Sequence, residues 1–218
     1  MPLELKSLTI FQAKAPHQVL LSPVSMTISP GEIVTVMGPS GCGKSTLLRS
    51  IAGQLGHDFH SQGEIYLNGN LLNLFPPHLR QVGLQWQHPL LFPHLNVWQN
   101  IAFALPTMVH GRAREQQARD ILAQVTLDNL AEQSVLRISG GQAARVSLLR
   151  TLASEPKLLL LDEPFSALDI NLRQAFRQFV FSQAIQANIP TLLVTHDAQD
   201  IPANSRCFQW HELGDSNA

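Results

Sequence analysis

A glycine-rich segment directly after an apolar run restricts the fold of this chain more than any other feature of its sequence. The β-branched run Glu32–Met37 is followed by Gly38–Thr46, which reads GPSGCGKST and fits the pattern G-x-x-x-x-G-K-[ST]. Glycines in this pattern let successive backbone N–H groups turn inward around a phosphate, and the next helix adds the positive end of its dipole. The sequence therefore predicts a buried strand, a phosphate-binding loop and a helix whose buried face carries Leu47, Leu48 and Ile51.

Side chains with defined chemistry accompany this loop. Lys44 is placed to reach the β- and γ-phosphates of a nucleotide, and Ser45 to ligate Mg²⁺. A magnesium ion held in this way needs a carboxylate at the end of a neighbouring strand, and Asp162 follows the apolar run Leu158–Leu161. Glu163 is next in the chain and is the candidate general base that orients a water in line with the γ-phosphorus. The residues predicted to bind the nucleotide phosphates are Gly38, Pro39, Ser40, Gly41, Cys42, Gly43, Lys44, Ser45 and Thr46.

A second phosphate-binding element is predicted at Ser139-Gly140-Gly141-Gln142. Ser139 is a favourable N-cap, and the two glycines permit close approach of a ligand to the backbone at the start of a helix. Taken alone, this segment is more often an ordinary junction between a loop and a helix. Together with Gly38–Thr46, this segment gives the chain two candidate phosphate-binding elements.

The pattern of the remaining chain is that of an α/β protein with one or two lobes, as expected for 218 residues. Residues 3–11 and 24–28 alternate as half-buried strands do, with a predicted loop carrying Pro16 and Pro23 between them. Further strands are predicted at Glu64–Leu67, Val82–Trp86, Leu158–Leu161, Thr191–Val194 and Cys207–Trp210, and helices at Asn100–Leu105, Arg112–Val125, Gln142–Ala153 and Leu168–Val180. Strands joined by a crossover helix imply a mostly parallel sheet.

The order of these motifs resembles that of the ABC-type ATPases over nearly the whole chain. Gly38–Thr46 is similar to their Walker A motif, and the later segments Ser139–Gln142, Leu160–Pro164, Ser166–Asp169 and Val194–Asp197 are similar to the signature, Walker B, D-loop and H-loop motifs. The resemblance implies a P-loop NTPase fold of the α/β class, with a mostly parallel core sheet, an antiparallel β subdomain and an inserted helical subdomain. It implies a single ABC ATPase domain over residues 1–218: residues 1–87 and 151–218 form a RecA-like core with the β subdomain, and residues 88–150 form the helical subdomain with the signature motif.

The resemblance also assigns roles to individual residues. Gln87 lies in a stretch similar to the Q-loop of bacterial importer subunits and would contact Mg²⁺ and the attacking water. His196 would contact the γ-phosphate and steady the geometry of Glu163 and the water, while Asp169 would cross a dimer interface. The family stacks an aromatic ring on adenine from the end of the first strand. The corresponding position here is Gln12, and the neighbouring Phe11 is the residue favoured for this role. The sequence departs from the family pattern at two places: Ile138 replaces the usual leucine, and Ala143-Ala144 replaces a polar pair. Both changes are conservative, so ATPase activity is still expected.

The mechanism implied by the resemblance needs partners. Two subunits would pack head to tail as a homodimer bridged by ATP and Mg²⁺, so that the loop of one and the Ser139–Gln142 segment of the other enclose each ATP. The homodimer would act beneath an integral membrane permease on the cytoplasmic face of the inner membrane, as a peripheral protein, and would depend indirectly on a solute-binding protein. Residues 88–150 would offer the docking groove, with apolar contact from Phe92, Leu95, Val97 and Trp98.

Charge and hydropathy limit the other classes of function. With 15 basic and 16 acidic residues the formal net charge is -1, so no global positive field favours nucleic acid as a partner. No apolar stretch approaches the length of a membrane span, so a permease has to be a separate chain. The alternatives left open are a non-transport ABC ATPase, a P-loop phosphotransferase and an exporter subunit, and the sequence does not identify a cargo.

Overall fold

The structure, a computed structural model, describes residues 2–203 and 205–213 of the chain. These residues form two compact units. The first comprises residues 2–84, 157–163, 181–203 and 205–213, and the second comprises Gln85–Pro156 and Pro164–Val180. Along the chain the strands are β1 (Leu3–Gln12), β2 (Ala15–Ile28), β3 (Ile33–Met37), β4 (Phe59–Leu67), β5 (Asn70–Leu71), β6 (Val82–Gln85), β7 (Leu158–Asp162), β8 (Thr191–Thr195) and β9 (Arg206–Gln209). The helices are α1 (Lys44–Ala52), α2 (Val97–Ala104), α3 (Gly111–Ala123), α4 (Gly140–Ala153) and α5 (Ile170–Gln186).

The core sheet has the strand order β6-β7-β8-β3-β9. β3 pairs in parallel with β8 and β9, and β7 pairs in parallel with β8, which confirms the predicted parallel sheet. Every residue of β7 and β8 is buried, as expected for strands covered on both faces. The register pairs Met37 with Thr195 and Asp162 with Val194. The residues that follow these strands therefore meet at one edge of the sheet.

The antiparallel sheet has the order β2-β1-β4-β5 and belongs to the first unit. The prediction that Pro16 and Pro23 lie in a loop between the first two strands is wrong, because β2 begins at Ala15 and contains both prolines. β2 is an edge strand, where proline is tolerated because the strand has a neighbour on one side only. The register shifts along the β1–β2 ladder mark where the pairing is irregular.

The hydrophobic core of the first unit joins both sheets to α1. Its fully buried side chains come from β1, β2, β3, β4, β7, β8 and α1 and include Leu3, Leu8, Ile10, Ile28, Val36, Leu48, Ile51, Leu158, Leu160 and Val194. The predicted helical face Leu47, Leu48 and Ile51 is buried in this core. The helix that carries the phosphate-binding loop is thus fixed by the removal of apolar surface from water.

Helix caps and one buried cation organise the second unit. Asn96 at the start of α2 and Ser139 at the start of α4 both form capping boxes with the glutamine three residues later. The Arg145 guanidinium donates to the carbonyl of Val125 and lies over the ring of Phe176, 5.2 Å from its centroid. This contact fastens α4 to the segment Pro164–Val180 within the second unit.

A buried arginine caps the carboxyl end of α1. Arg80 Nη1 donates to the carbonyls of Ile51 at 2.7 Å and Ser50 at 3.4 Å, and Nε donates to Phe75 O at 2.9 Å. Gly53 ends the helix with φ 73°, and a Cβ at this glycine would lie 2.6 Å from the Arg80 guanidinium carbon. The left-handed backbone and the space for the guanidinium both require glycine here.

Replacing Arg80 by methionine is expected to lower the free energy of unfolding by about 2–4 kcal/mol, because the buried carbonyls at the end of α1 lose their donor. Urea titration followed by circular dichroism measures this change. His78→Ala, at an exposed position two residues away, is the matched control and should change little. Equal midpoints for the two variants would show that Arg80 does not stabilise α1.

Candidate functional site

The phosphate-binding loop joins β3 to α1 within the first unit. α1 begins at Lys44, and its N-cap Gly43 has φ 119°, a conformation that a residue with a side chain rarely adopts. The Lys44 ammonium donates to the carbonyls of Gly38 at 2.7 Å and Pro39 at 2.9 Å. These bonds hold a buried cation, only 5% exposed, against the loop backbone. A lysine ammonium and the N–H groups of the first turn of a helix are groups of the kind that bind an anionic phosphate.

Asp162 and Glu163 lie at the carboxyl end of β7. The Ser45 hydroxyl hydrogen bonds to the Asp162 carboxyl group. Glu163 Oε1 lies 2.9 Å from His196 Nδ1 and 4.0 Å from Lys44 Nζ. The structure therefore brings together the predicted residues Lys44, Ser45, Asp162, Glu163 and His196 in the first unit. The shared edge of β3, β7 and β8 is the reason. Asp162 ends β7, Glu163 and His196 directly follow β7 and β8, and Lys44 and Ser45 begin the helix to which the loop after β3 leads.

The backbone of Glu163 is strained. Its φ of 44° places a side-chain-bearing residue in the left-handed region, and its N–H donates to the Val194 carbonyl at 3.0 Å. The cost of such a conformation, about 1–3 kcal/mol, is borne where the surrounding structure imposes it, commonly at functional sites. Here the turn aims the Glu163 carboxylate at His196 and Lys44.

Burial raises the pKa of Asp162 above its ordinary value, and the charge of Glu163 adds to this effect. The hydrogen bond from Ser45 and the charges of Lys44 and Arg49 act in the opposite direction. The carboxylate form of Asp162 is thus costly in the folded protein, and a further cation would stabilise it. A carboxylate beside a serine hydroxyl is the hard oxygen donor set that suits Mg²⁺, so the residues present fit this ion.

A tryptophan that the sequence analysis did not single out covers the loop. An added Cβ at Gly38 would lie 2.8 Å from Trp210 Cβ, and one at Gly43 would lie 2.9 Å from Trp210 Cζ2 and 3.1 Å from Leu20 Cγ. The indole thus lies against the loop at two of its glycines. The signal in the sequence that could have revealed this contact is the predicted strand Cys207–Trp210. When β9 pairs with β3, Gln209 lies opposite Met37, and Trp210 follows beside the loop.

The remaining predicted residues of the signature and D-loop segments lie in the second unit. Ser139 Oγ accepts from Gln142 N at 3.2 Å, and Gln142 Oε1 accepts from Ser139 N at 2.9 Å. Gly140 is exposed, and an added Cβ at Gly141 would lie 3.2 Å from the Ala167 carbonyl. Asp169 Oδ1 accepts from Leu172 N at 3.0 Å, at the start of α5. The structure brings these segments together around the amino end of α4.

Two further predicted binding residues occupy surface positions, Gln87 in the second unit and Phe11 in the first. Gln87 is exposed just beyond β6. The Phe11 ring stacks on that of His60, with centroids 5.1 Å apart and an interplanar angle of 14°. One residue of the predicted docking groove is wrongly placed: Val97 is 0% exposed and belongs to the core of the second unit. As the first residue of α2 it turns inward, while Leu90, Phe103 and Met108 expose apolar surface.

Comparison with known proteins identifies the class to which this fold and site belong. The model of the ABC transporter family matches residues 21–166. The chain is 46% identical over 202 residues to an ABC transporter ATP-binding protein, YnjD, of Escherichia coli K12, covering 91% of this chain and 93% of that protein. It is 42% identical over 182 residues to a spermidine/putrescine import ATP-binding protein, PotA, of Legionella pneumophila (strain Philadelphia 1), covering 83% of this chain and 49% of PotA. The chain thus spans about half of PotA.

A solved structure agrees with this assignment. The chain superposes with a TM-score of 0.79 and 28% identity on the ATP-binding cassette MJ0796, solved as a dimer in a post-hydrolysis state with ADP and Pi, and 91% of this chain and 89% of that one are covered. The chain belongs to the ABC transporter family. It is an ATP-hydrolysing subunit that powers transport through a separate permease, and the P-loop NTPase fold inferred from the sequence is confirmed. Within the described part of the chain, no helix has the length and apolar character needed to cross a bilayer.

Asp162→Asn is expected to raise the melting temperature of the nucleotide-free, magnesium-free protein at pH 7 by about 2–5 °C. The raised pKa means that the folded chain disfavours the carboxylate, so Asp162 lowers stability as pH rises from its unfolded pKa of about 3.9 through the raised folded value. Melting curves over a range of pH measure the difference, which should vanish in acid. Asp58→Asn is the exposed control, and a lower melting temperature for Asp162→Asn at neutral pH would contradict this prediction.

Trp210→Ala is expected to weaken nucleotide binding by about tenfold, because the loop loses the ring that holds it in one conformation and binding then has to order it. Titration with a fluorescent ATP analogue measures the dissociation constant. Trp210→Phe keeps an aromatic ring beside the loop and should retain most of the affinity. Unchanged binding by the alanine variant would mean that the indole only fills space.

Proposed function

We propose that this chain hydrolyses ATP as a homodimer in which each ATP is enclosed by the phosphate-binding loop of one copy and the Ser139–Gln142 segment of the other. The observation that carries this proposal is the Glu163 carboxylate, held within 2.9 Å of His196 and 4.0 Å of Lys44 beside the loop. The dimeric form of the similar cassette MJ0796, solved with ADP and Pi, supports a dimer. The exposed Gly140 at the amino end of α4 leaves that segment accessible to a partner's phosphate.

In this proposal the residues of the first unit bind and orient the reactants. The backbone of Gly38–Thr46 and the Lys44 ammonium bind the phosphates, and Ser45 and Asp162 hold Mg²⁺. A role for Gln87, a residue of the second unit, at Mg²⁺ and the attacking water is part of the same proposal. The bound ion would neutralise charge that develops on the phosphate oxygens. Lys44 would exchange its bonds to the loop carbonyls for bonds to phosphate oxygens, which keeps its buried charge compensated.

Glu163 is the proposed general base. The Glu163 carboxylate, whose Oε1 lies 2.9 Å from His196 Nδ1, would accept a proton from the attacking water. His196 has a side chain that is 52% exposed, so its ring can also approach the γ-phosphate. The strained backbone at Glu163 orients the carboxylate before the nucleotide arrives, which reduces the reorganisation that catalysis requires.

The remaining assignments concern the nucleobase and the dimer. Phe11, stacked on His60, would bind adenine through its ring, and Asp169 would cross the dimer interface. The division into a RecA-like core with a β subdomain, residues 1–87 and 151–218, and a helical subdomain, residues 88–150, is part of the same proposal. Loss of the bridging γ-phosphate on hydrolysis would open the dimer, and this movement would be transmitted to the permease.

The proposed permease surface lies on the second unit, around α2. Phe103 is 65% exposed and Met108 is 88% exposed, and the Phe103 ring lies 4.7 Å from that of Phe92. Exposed apolar side chains of this size commonly mark protein contacts. Because relatives such as PotA are named import ATP-binding proteins, we assign the chain to an importer at the cytoplasmic face of the inner membrane, supplied by a solute-binding protein.

Glu163→Gln is expected to lower the rate of ATP hydrolysis by about a hundredfold or more and to trap an ATP-bridged dimer. The amide keeps the size of the side chain but cannot accept the proton from water. Light scattering coupled to size exclusion, with and without Mg-ATP, measures the mass, and phosphate release measures the rate. An ATP-dependent shift from monomer to dimer is the expected result.

Lys44→Ala supplies the control, because loss of phosphate binding should leave this variant monomeric with or without ATP. If Glu163→Gln stayed monomeric with ATP bound while the unmodified monomer hydrolysed ATP, the Ser139–Gln142 segment would not act on a partner's nucleotide. That outcome would favour a site complete within one subunit, as in the phosphotransferase alternative.

A further inference from the structure

A buried amide side chain lies two residues before Gln87. Gln85 is 2% exposed and ends β6. Its Oε1 accepts hydrogen bonds from Ser147 Oγ at 3.1 Å and Thr151 Oγ1 at 3.3 Å, and its Nε2 donates to Trp86 O at 2.9 Å. All four residues belong to the second unit. None of the roles proposed above uses these contacts.

The acceptor on Trp86 determines the orientation of the next residue. The Trp86 carbonyl belongs to the peptide bond whose nitrogen is that of Gln87, and a peptide group is planar. A hydrogen bond at this oxygen therefore restrains the rotation of the whole peptide plane that leads into Gln87. Gln87 itself is exposed, so this restraint acts on a residue at the surface.

The donors to Gln85 lie one turn apart on the same face of α4. Ser147 is 3% exposed, and the Thr151 hydroxyl shares its proton between Gln85 Oε1 and the Ser147 carbonyl at 3.1 Å. α4 begins with the capping box of Ser139 and Gln142. One rigid helix thus carries the predicted signature segment at its amino end and, two to three turns later, the hydroxyls that bind Gln85.

Burial makes these three side chains act together. A buried amide that loses a partner pays the full desolvation cost of the unpaired group, so each hydroxyl helps to keep Gln85 in one rotamer. Replacing all members of such a network by apolar groups of the same shape can be nearly neutral, whereas replacing one member leaves the others unpaired. The polar network is therefore expected to specify geometry more than stability.

We propose that Gln85, Ser147 and Thr151 form a positioning network that fixes the peptide leading into Gln87 relative to α4. The inference rests on the proposed role of Gln87 at Mg²⁺ and the attacking water. Through this network the segment that ends in Gln87 and the helix that begins with Ser139–Gln142 move as one body. Gln85 touches neither nucleotide nor metal, and it acts through Gln87.

Gln85→Met and Thr151→Val test the proposal, because each removes hydrogen bonds while keeping a side chain of similar size. We expect each to lower kcat about tenfold, as a displaced catalytic group does, and to raise the Mg²⁺ concentration that gives half-maximal ATPase activity. The affinity for ATP should stay close to that of the unmodified chain, while the melting temperature of Gln85→Met should fall because the buried Ser147 hydroxyl loses its acceptor. Thr151→Ser keeps the hydroxyl and is the matched control, with the activity of the unmodified chain.

A double-mutant cycle with Gln87→Ala separates positioning from a general packing defect. In the Gln87→Ala background, adding Gln85→Met should lower kcat no further. An equal additional loss in that background, or equal activities for Thr151→Val and Thr151→Ser, would overturn the network. If Gln87→Ala alone leaves kcat and the Mg²⁺ requirement unchanged, the proposed role of Gln87 fails first, which is a distinguishable result.

Discussion

Compensation of buried charge at the carboxyl edge of the parallel sheet is the constraint on which the rest of the first unit depends. Lys44, Asp162 and Glu163 are each less than a tenth exposed, so each charge has to be balanced by a neighbour or by a ligand. The pKa of Asp162 shows the cost of this arrangement, since burial disfavours its carboxylate. A site that is costly without its ligands is suited to binding a phosphate and a cation, because both complete the compensation.

The surrounding structure holds these charges in position from both ends of α1. At the amino end, Trp210 packs against the loop at Gly38 and Gly43, and at the carboxyl end the Arg80 guanidinium binds the last carbonyls. The apolar face of α1 lies in the same core as β7 and β8. The phosphate-binding loop is therefore restrained by packing, by capping and by the sheet, which gives the pre-organised geometry that catalysis requires.

In the second unit, buried contacts hold exposed segments with proposed binding roles on or beside helix α4. The capping box of Ser139 and Gln142 begins α4, and the buried Arg145 fastens the helix to Phe176. Farther along, Ser147 and Thr151 bind Gln85, next to the segment that contains Gln87. Surface segments held by buried polar contacts keep one geometry while they stay accessible to a ligand or a partner.

The sequence by itself determined the fold class, the parallel sheet and the family, and it predicted the phosphate-binding loop. These depend on local features: a glycine pattern after a β-branched run, apolar runs of strand length, and a carboxylate directly after one of them. Prediction from the sequence failed for residues whose neighbours in the fold come from distant parts of the chain. Pro16 and Pro23 were predicted to lie in a loop because edge position is a property of the assembled sheet. Val97 was predicted to line a docking groove, although its helix turns it inward. The sequence also gave no structural role to three further residues, Trp210, Arg80 and Gln85. Their respective partners Gly38, Ile51 and Ser147 come next to them only when strands pair and helices pack.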